Sequence, residues 1–252
     1  MNLNKDQELV CGINAVKEII RIRPDSVSTL LVEADKGKRI KEIQQVAEKN
    51  NIEVVTQNAS FFRKTFSELN HQGVGIICNK RLEENENFLE NLIEKDNLLF
   101  LILEHITDPQ NVGACIRSAA AAGVDAVIVP KNRSCHLTPT VRKISSGGAE
   151  LIPFVVVTNI VRTINKLKDA GVVIYGTNME ASKSYNDVTY SDKSALIIGS
   201  EDKGMKRLTA ESCDEIIKIN MPGRIESLNA SVSTGIMLFE MINQKKNTGL
   251  NI

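Results

Sequence analysis

From residue 98 onward the chain keeps returning to short runs that are wholly or mostly apolar: 98–103 (LLFLIL), 125–129 (DAVIV), 154–157 (FVVV), 172–175 (VVIY), 195–198 (ALII) and 215–219 (EIIKI). A strand with one wet face alternates apolar and polar residues, whereas a run without alternation belongs to a strand covered on both faces. Helix-like segments separate most of the runs. The expected fold class is therefore α/β, a mostly parallel sheet with helices on both sides. The longest apolar runs are only six or seven residues, far below the roughly 20 needed to span a membrane.

The first 80 residues carry a smaller α/β series. Residues 28–33 (STLLVE), 52–56 (IEVVT) and 74–78 (VGIIC) read as strands. Residues 38–50 place Ile40, Ile43, Val46 and Ala47 on one helical face, and 60–69 read as a short helix with Ser60 as its cap. Residues 81–97 (RLEENENFLENLIEKDN) hold six acidic residues and four asparagines, a composition that favours a linker, in which Phe88, Leu89, Leu92 and Ile93 are spaced for one or two amphipathic helical turns. The expected organisation is a first domain over 1–80, a linker over 81–97 and a larger domain over 98–252.

Composition excludes several classes. The chain has 252 residues, with 31 Lys plus Arg balanced by 31 Asp plus Glu. Nucleic-acid binding would therefore need a local basic patch, not a global field. The five cysteines (Cys11, Cys78, Cys115, Cys135, Cys213) are odd in number and scattered, which argues for reduced cytoplasmic thiols and against a disulfide framework. The three histidines lack nearby ligand partners, so no metal is expected. The opening MNLNKDQELV has no apolar core of a signal peptide.

Ligands of open parallel sheets bind beyond the carboxyl ends of strands, and three such ends carry unusual residues. After 98–103 comes EHITDPQNVGACIRSAAAAG, in which Asp108 and Pro109 open a helix and Gly123 ends it. Asn111 lies in its first turn, and Arg117 stands among Gly113, Ala114, Ala120 and Ala121. After 195–198 comes GSEDKGM (199–205), a glycine turn holding Glu201. Met205 occupies the place where a phosphate loop requires lysine, which excludes a P-loop. After 215–219 comes NMPGRIESLNASVSTG, with a helix starting near Ser227 and with Ser227, Ser231 and Gly235 on one bare face. No G-x-G-x-x-G, serine elbow or H-E-x-x-H occurs.

Together these loops resemble the SpoU (TrmH-like) RNA ribose 2′-O-methyltransferases of the SPOUT superfamily. Asn111, Gly113 and Arg117 match the family's N-x-G-x-x-x-R, residues 199–205 its glycine–acidic loop, and Ser227, Leu228, Asn229 and Ser231 its S-L-N-x-S helix start. Residues 123–154, with CGINAV (11–16) and HQGV (71–74), resemble the members that methylate a guanosine in the peptidyl-transferase P loop of bacterial 23S rRNA. Three departures stand out: Asp202-Lys203 where relatives usually have Gly-Glu, Asn220 for proline, and Ala230 for valine.

The resemblance implies a trefoil-knotted C-terminal domain, an N-terminal domain like ribosomal protein L30e, a homodimer through the C-terminal domain, and S-adenosylmethionine as methyl donor. It implies cofactor contacts at Gly199, Ile219, Met221 and Leu228, bordered by Thr177, Asn178 and Met179. Arg117 becomes the catalytic candidate, with Asn111, Glu201, Ser227 and Asn229 orienting it and the ribose. An arginine holds its proton to a pKa above about 12. Its expected task is therefore to fix a phosphate and stabilise oxyanion charge, not to act as a base. RNA contact is expected at Lys36, Lys38, Arg39 and Lys41 and at Lys131, Arg133, Arg142 and Lys143. The alternatives are a tRNA ribose methyltransferase and a non-catalytic RNA-binding assembly factor on the same scaffold.

Overall fold

The computed structural model describes residues 3–34, 37–66 and 69–247. The chain forms two compact units. One runs to Leu82 and also takes in Leu137–Leu151; the other holds Glu83–His136 and the chain from Ile152 on.

The first unit is a four-stranded sheet in the order β1-β4-β2-β3, built from β1 (Gln7–Cys11), β2 (Val27–Glu33), β3 (Glu53–Gln57) and β4 (Val74–Asn79). Strands β1 and β2 run antiparallel to β4, and β2 runs parallel to β3. Helix α1 (Ile13–Ile22) buries Ala15, Val16, Ile19 and Ile20, and α2 (Lys38–Lys49) buries Ile40, Ile43 and Ala47. Both stripes join Leu30, Val32, Val74 and Ile76 in one core. Val46, expected on the same face of α2, is exposed. On the other sheet face α3 (Ala59–Thr65) sets Phe62 against Cys11, Leu31 and Ile77. Its cap is Asn58, whose side chain accepts from the Phe61 N–H at 2.8 Å, and not Ser60.

In the second unit, β5 (Glu84–Asn85), β6 (Leu98–Leu103), β7 (Ala126–Pro130), β8 (Phe154–Val157), β9 (Val173–Thr177), β10 (Lys183–Ser184), β11 (Lys193–Ile198) and β12 (Glu215–Lys218) form one sheet. Their order is β10-β12-β9-β11-β6-β7-β8-β5, and the pairings are parallel. Every residue of β6 is buried, as its unbroken apolar run requires. The helices are α4 (Pro109–Ala121), α7 (Ile160–Asp169), α8 (Arg207–Glu211) and α9 (Ala230–Asn247). The Asp108 carboxylate caps α4 through the Gln110 and Asn111 N–H groups, and Gly123 follows its end at φ 71°. Helix α9 crosses α4 closely: Cys115 Sγ lies 3.3 Å from Thr234 Oγ1. A methyl on Gly235 would sit 3.6 Å from Ser118 Oγ. Burial pushes the Cys115 thiol up to about 11.

Two expectations are corrected. The acidic stretch 81–97 is not a free linker over its whole length. Within it β5 pairs with β8, and Leu89 enters the core with Phe88, Leu92 and Ile93 packed against it. Its apolar residues outweigh its charge because they fall together on one face. The segment 137–151, read from sequence as part of the larger domain, belongs to the first unit. It carries the short helices α5 (Pro139–Ile144) and α6 (Gly148–Leu151).

That segment also corrects one RNA contact. Arg142 is 2% exposed. Its Nε lies 3.0 Å from Glu8 Oε2, and its Nη1 lies 2.5 Å from Glu150 Oε1. Arg23 holds the other Glu150 oxygen at 2.8 Å. Burial pushes the Glu8 carboxyl above its ordinary range, while Arg142 and Arg23 pull against it. Arg142 is thus consumed by two buried carboxylates and offers nothing to a phosphate. Lys143 is half-buried, and burial lowers its pKa.

Removing one partner of a buried pair strands the other charges. Arg142→Ala is expected to lower stability by about 3–5 kcal/mol, read as a fall in denaturant midpoint. Arg142→Met, which keeps some of the packing volume, is expected to lose less.

Candidate active site

The order of the second sheet sets β12, β9, β11 and β6 side by side. Parallel strands end on one edge, so the loops after β6, β11 and β12 emerge there together although they lie far apart in the chain. These are the three loops singled out by sequence.

They meet on one carboxylate oxygen. Glu201 Oε1 accepts from Asn229 Nδ2 at 2.7 Å and from Asn111 Nδ2 at 3.1 Å. The Ala230 N–H also points to it, at 3.4 Å. Asn229 Nδ2 donates in addition to Asn111 Oδ1 at 2.8 Å. Each amide is therefore oriented by its neighbours, because a flipped Asn229 would turn oxygen toward oxygen. Asn229 Oδ1 in turn accepts from the Ser231 N–H at 3.0 Å and from Ser231 Oγ at 2.5 Å. Asn229, not Ser227, thus caps α9. Ser227 lies outside the helix, exposed in the preceding segment, and does not share a helical face with Ser231 and Gly235.

Beside this network is a cavity of about 310 Å³. Its lining includes all six residues expected at the cofactor: Thr177, Asn178, Gly199, Ile219, Met221 and Leu228. Ser227, Glu201 and Met179 line it as well. Gly199 shows why the wall must be bare. A methyl there would sit 2.2 Å from the Gly204 carbonyl carbon and 2.3 Å from the Met205 nitrogen. The turn folds back on itself, with Ser200 and Gly204 exchanging backbone hydrogen bonds at 3.1 and 2.8 Å. A cradle of strand ends and tightly turned backbone, with apolar Ile219, Met221 and Leu228, suits a nucleoside that needs main-chain hydrogen bonds and an apolar wall. The donor set is therefore compatible with S-adenosylmethionine.

The remaining predicted residues are placed as follows. Arg117 is exposed on α4 and lines neither this cavity nor the one described next; among the described residues it makes no hydrogen bond or ion pair. Lys38, Arg39 and Lys41 are exposed on α2 in the first unit, and Lys131 and Arg133 are exposed in the second. Lys36 lies outside the described residues.

Sequence reasoning missed a second cavity of about 590 Å³ on the other side of the 199–205 turn. His105, Asp108, Asn111, Arg133 and Lys206 line it, and it shares Ser200 through Met205 with the first. His105 and Arg133 both sit at φ 58°, and His105 Nδ1 lies 3.2 Å from the Arg133 carbonyl. Non-glycine residues in this region are uncommon, and two joined to each other mark a defined loop geometry. Sequence reasoning also passed over Glu104. Its signal was a lone carboxylate closing an all-apolar strand.

Comparison with known proteins finds relatives over nearly the whole chain. The sequence model described as the SpoU rRNA Methylase family matches residues 98–239, and one described as RNA 2′-O ribose methyltransferase substrate binding matches residues 9–83. The 23S rRNA (guanosine-2′-O-)-methyltransferase RlmB of Xanthomonas campestris pv. campestris is 42% identical over 246 residues, covering 96% of this chain and 99% of that protein. RlmB of Escherichia coli K12 is 38% identical over 240 residues, covering 94% and 99%. Among solved structures, the SpoU methyltransferase AviRb from Streptomyces viridochromogenes, crystallised with AdoMet, superposes with a TM-score of 0.79 at 22% identity, covering 96% of this chain and 92% of that one. The match spans more than half of the chain in one model and nearly the whole chain in full-length relatives, and it follows that the chain belongs to the SpoU rRNA methylase family.

Proposed function

We propose that the chain transfers a methyl group from S-adenosylmethionine to the ribose 2′-OH of a guanosine in 23S rRNA. The observation that carries this reading is the convergence of Asn111, Glu201 and Asn229 on one another, beside the cavity that gathers the six expected cofactor residues. The names of the relatives at 42% and 38% identity support the guanosine of 23S rRNA. A tRNA target has weaker support: the tRNA-modifying neighbour from A. aeolicus superposes over 65% of this chain at a TM-score of 0.56.

Bound in the first cavity, S-adenosylmethionine would supply an electrophilic methyl group already activated by its sulfonium. What remains for the protein is alignment and charge. The backbone near Gly199, Ile219, Met221 and Leu228 would hold the nucleoside. Glu201 and its two asparagines would fix the wall between methyl group and ribose. Arg117, which keeps its proton, would bind a phosphate of the target and stabilise the developing oxyanion.

We place Arg117 in a site completed by a second copy of the chain. It does not line the cavity of its own chain, and the α9 that packs on α4 exposes Val232 and Phe239, at 48% and 51%, one helical turn either side of half-buried Gly235 and Ile236. An apolar stripe of this kind is the usual core of a dimer interface. The same proposal includes the trefoil knot of the second unit, the L30e-like character of the first, and residence in the cytoplasm with ribosomal RNA. Among the described residues no helix is long and apolar enough to cross a membrane, and no group of His, Cys, Asp and Glu is arranged to hold a metal.

The direct test is methylation of a 23S rRNA transcript with mass mapping of the product. A 2′-O-methylguanosine in 23S rRNA is expected; methyl transfer to tRNA alone would sink the rRNA assignment. Arg117→Ala is expected to lower turnover by about 10²–10³-fold, with cofactor affinity by calorimetry within about twofold of wild type. Gly199→Ala is expected to do the opposite first: the added methyl overpacks the turn, and cofactor affinity falls by roughly tenfold or more. RNA affinity is expected to fall steeply with salt. Replacing both Lys38 and Arg39 by alanine should flatten the log–log slope by about 1.4–1.8.

A further inference from the structure

Glu104 is the residue at which the apolar strand β6 stops, and it is 1% exposed. A buried carboxylate is expensive unless cations or hydrogen-bond donors surround it. Among the described residues no lysine, arginine or histidine forms an ion pair with it. Its donors are two: the Lys206 N–H to Oε2 at 2.9 Å, and Thr209 Oγ1 to Oε1 at 2.6 Å. Thr209 is itself 1% exposed. The backbone N–H of Glu104 donates to the Ile198 carbonyl at 2.9 Å.

These bonds fall on either side of one segment. Ile198 is the last residue before the 199–205 turn, and Lys206 is the first after it. One residue thus grips both ends of the turn that carries Glu201. That turn is also the partition between the two cavities: Ser200, Glu201, Asp202, Lys203, Gly204 and Met205 line both. A shift of the partition would widen one cavity at the expense of the other and move the carboxylate on which Asn111 and Asn229 converge.

We propose that Glu104 is a positioning residue for methyl transfer, whose side chain sets the place of the 199–206 partition by fixing its far end at Lys206 and Thr209 while its main chain holds the near end at Ile198. It touches no reactant. The proposal rests on the functional reading above only for what the partition serves; the clamp itself is a property of the unliganded chain. The bonding pattern also says which replacement should work. A glutamine can accept from the Lys206 N–H through its oxygen and donate to Thr209 Oγ1 through its nitrogen, because a hydroxyl can turn round. Leucine has similar bulk and satisfies neither group.

Hydrogen exchange on the full-length chain without ligand, together with calorimetry against S-adenosylmethionine, tests this. In Glu104→Leu, exchange across residues 199–206 should accelerate by about tenfold or more while β7 and β8 keep wild-type rates. Affinity for S-adenosylmethionine should drop by roughly tenfold, and KM for it should rise more than kcat falls. Glu104→Gln should restore exchange and affinity to within about threefold of wild type. Thr209→Val removes one clamp bond with little change in volume; should Glu104→Leu not fold, this variant is expected to show the same local pattern in weaker form. Wild-type exchange and affinity in a folded Glu104→Leu, or in Thr209→Val if the leucine variant does not fold, would overturn the proposal, as would acceleration spread evenly over the second unit. A wild-type chain that binds no S-adenosylmethionine would instead refute the functional reading, and the exchange pattern would still decide the role of Glu104.

Discussion

A single carboxylate oxygen joins segments that lie 90 and 28 residues apart along the chain. Glu201 Oε1 takes hydrogen bonds from the side-chain amides of Asn111 and Asn229, and each of those residues is also tied, through other atoms, into the first turn of a helix. Asn111 N–H is held by the Asp108 cap, and Asn229 Oδ1 caps α9. The position of Glu201 is therefore coupled to the axes of α4 and α9, which are locked against each other where Cys115 meets Thr234. Hydrogen bonds to a charged acceptor are about twice as strong as neutral ones, which helps explain why an exposed turn can hold a defined place at the mouth of the sheet.

The strand order makes this meeting inevitable. Strands β6, β11 and β12 were drawn from distant parts of the sequence, but in a parallel sheet their carboxyl ends must share an edge. Any three loops following them have to converge; what the side chains add is a particular geometry. The glycine at 199 permits the turn to close on itself, and the same closure gives it two faces. One turn can therefore wall two cavities, and the residues on it can act on what occupies either.

Much of this could be read from the residues. The continuous apolar runs marked the strands because full burial removes the need for alternation, and the unusual residues just beyond them marked the loops. Caps were harder. Ser60 and Asn58, or Ser227 and Asn229, are chemically interchangeable as caps, and only the backbone path decides which of them faces the first turn. In the stretch 81–97 the acidic composition pointed to a linker, while the spacing of Phe88, Leu89, Leu92 and Ile93 already marked the face by which Leu89 enters the core. Arg142 misled for a deeper reason. A basic residue near other basic residues looks like a phosphate contact. Its true partners, Glu8 and Glu150, are brought to it by the fold of the first unit, and no local pattern announces them.

Arg142 also bears on how a chain of zero net charge can meet a polyanion. Its guanidinium is spent on buried carboxylates, and so is that of Arg23, which holds Glu150 and approaches Glu8. Lys245, at 3% exposure, is likewise spent on the Asp192 and Leu98 carbonyls. What remains for phosphates is the exposed cations, among them Lys38, Arg39 and Lys41 on one unit and Lys131, Arg133 and Arg117 on the other. Non-specific affinity and its salt dependence both scale with the number of phosphates neutralised, so every cation spent on a buried partner lowers both. Selectivity must then come from the shape of the cavities and from the groups that hold their common wall, not from attraction alone.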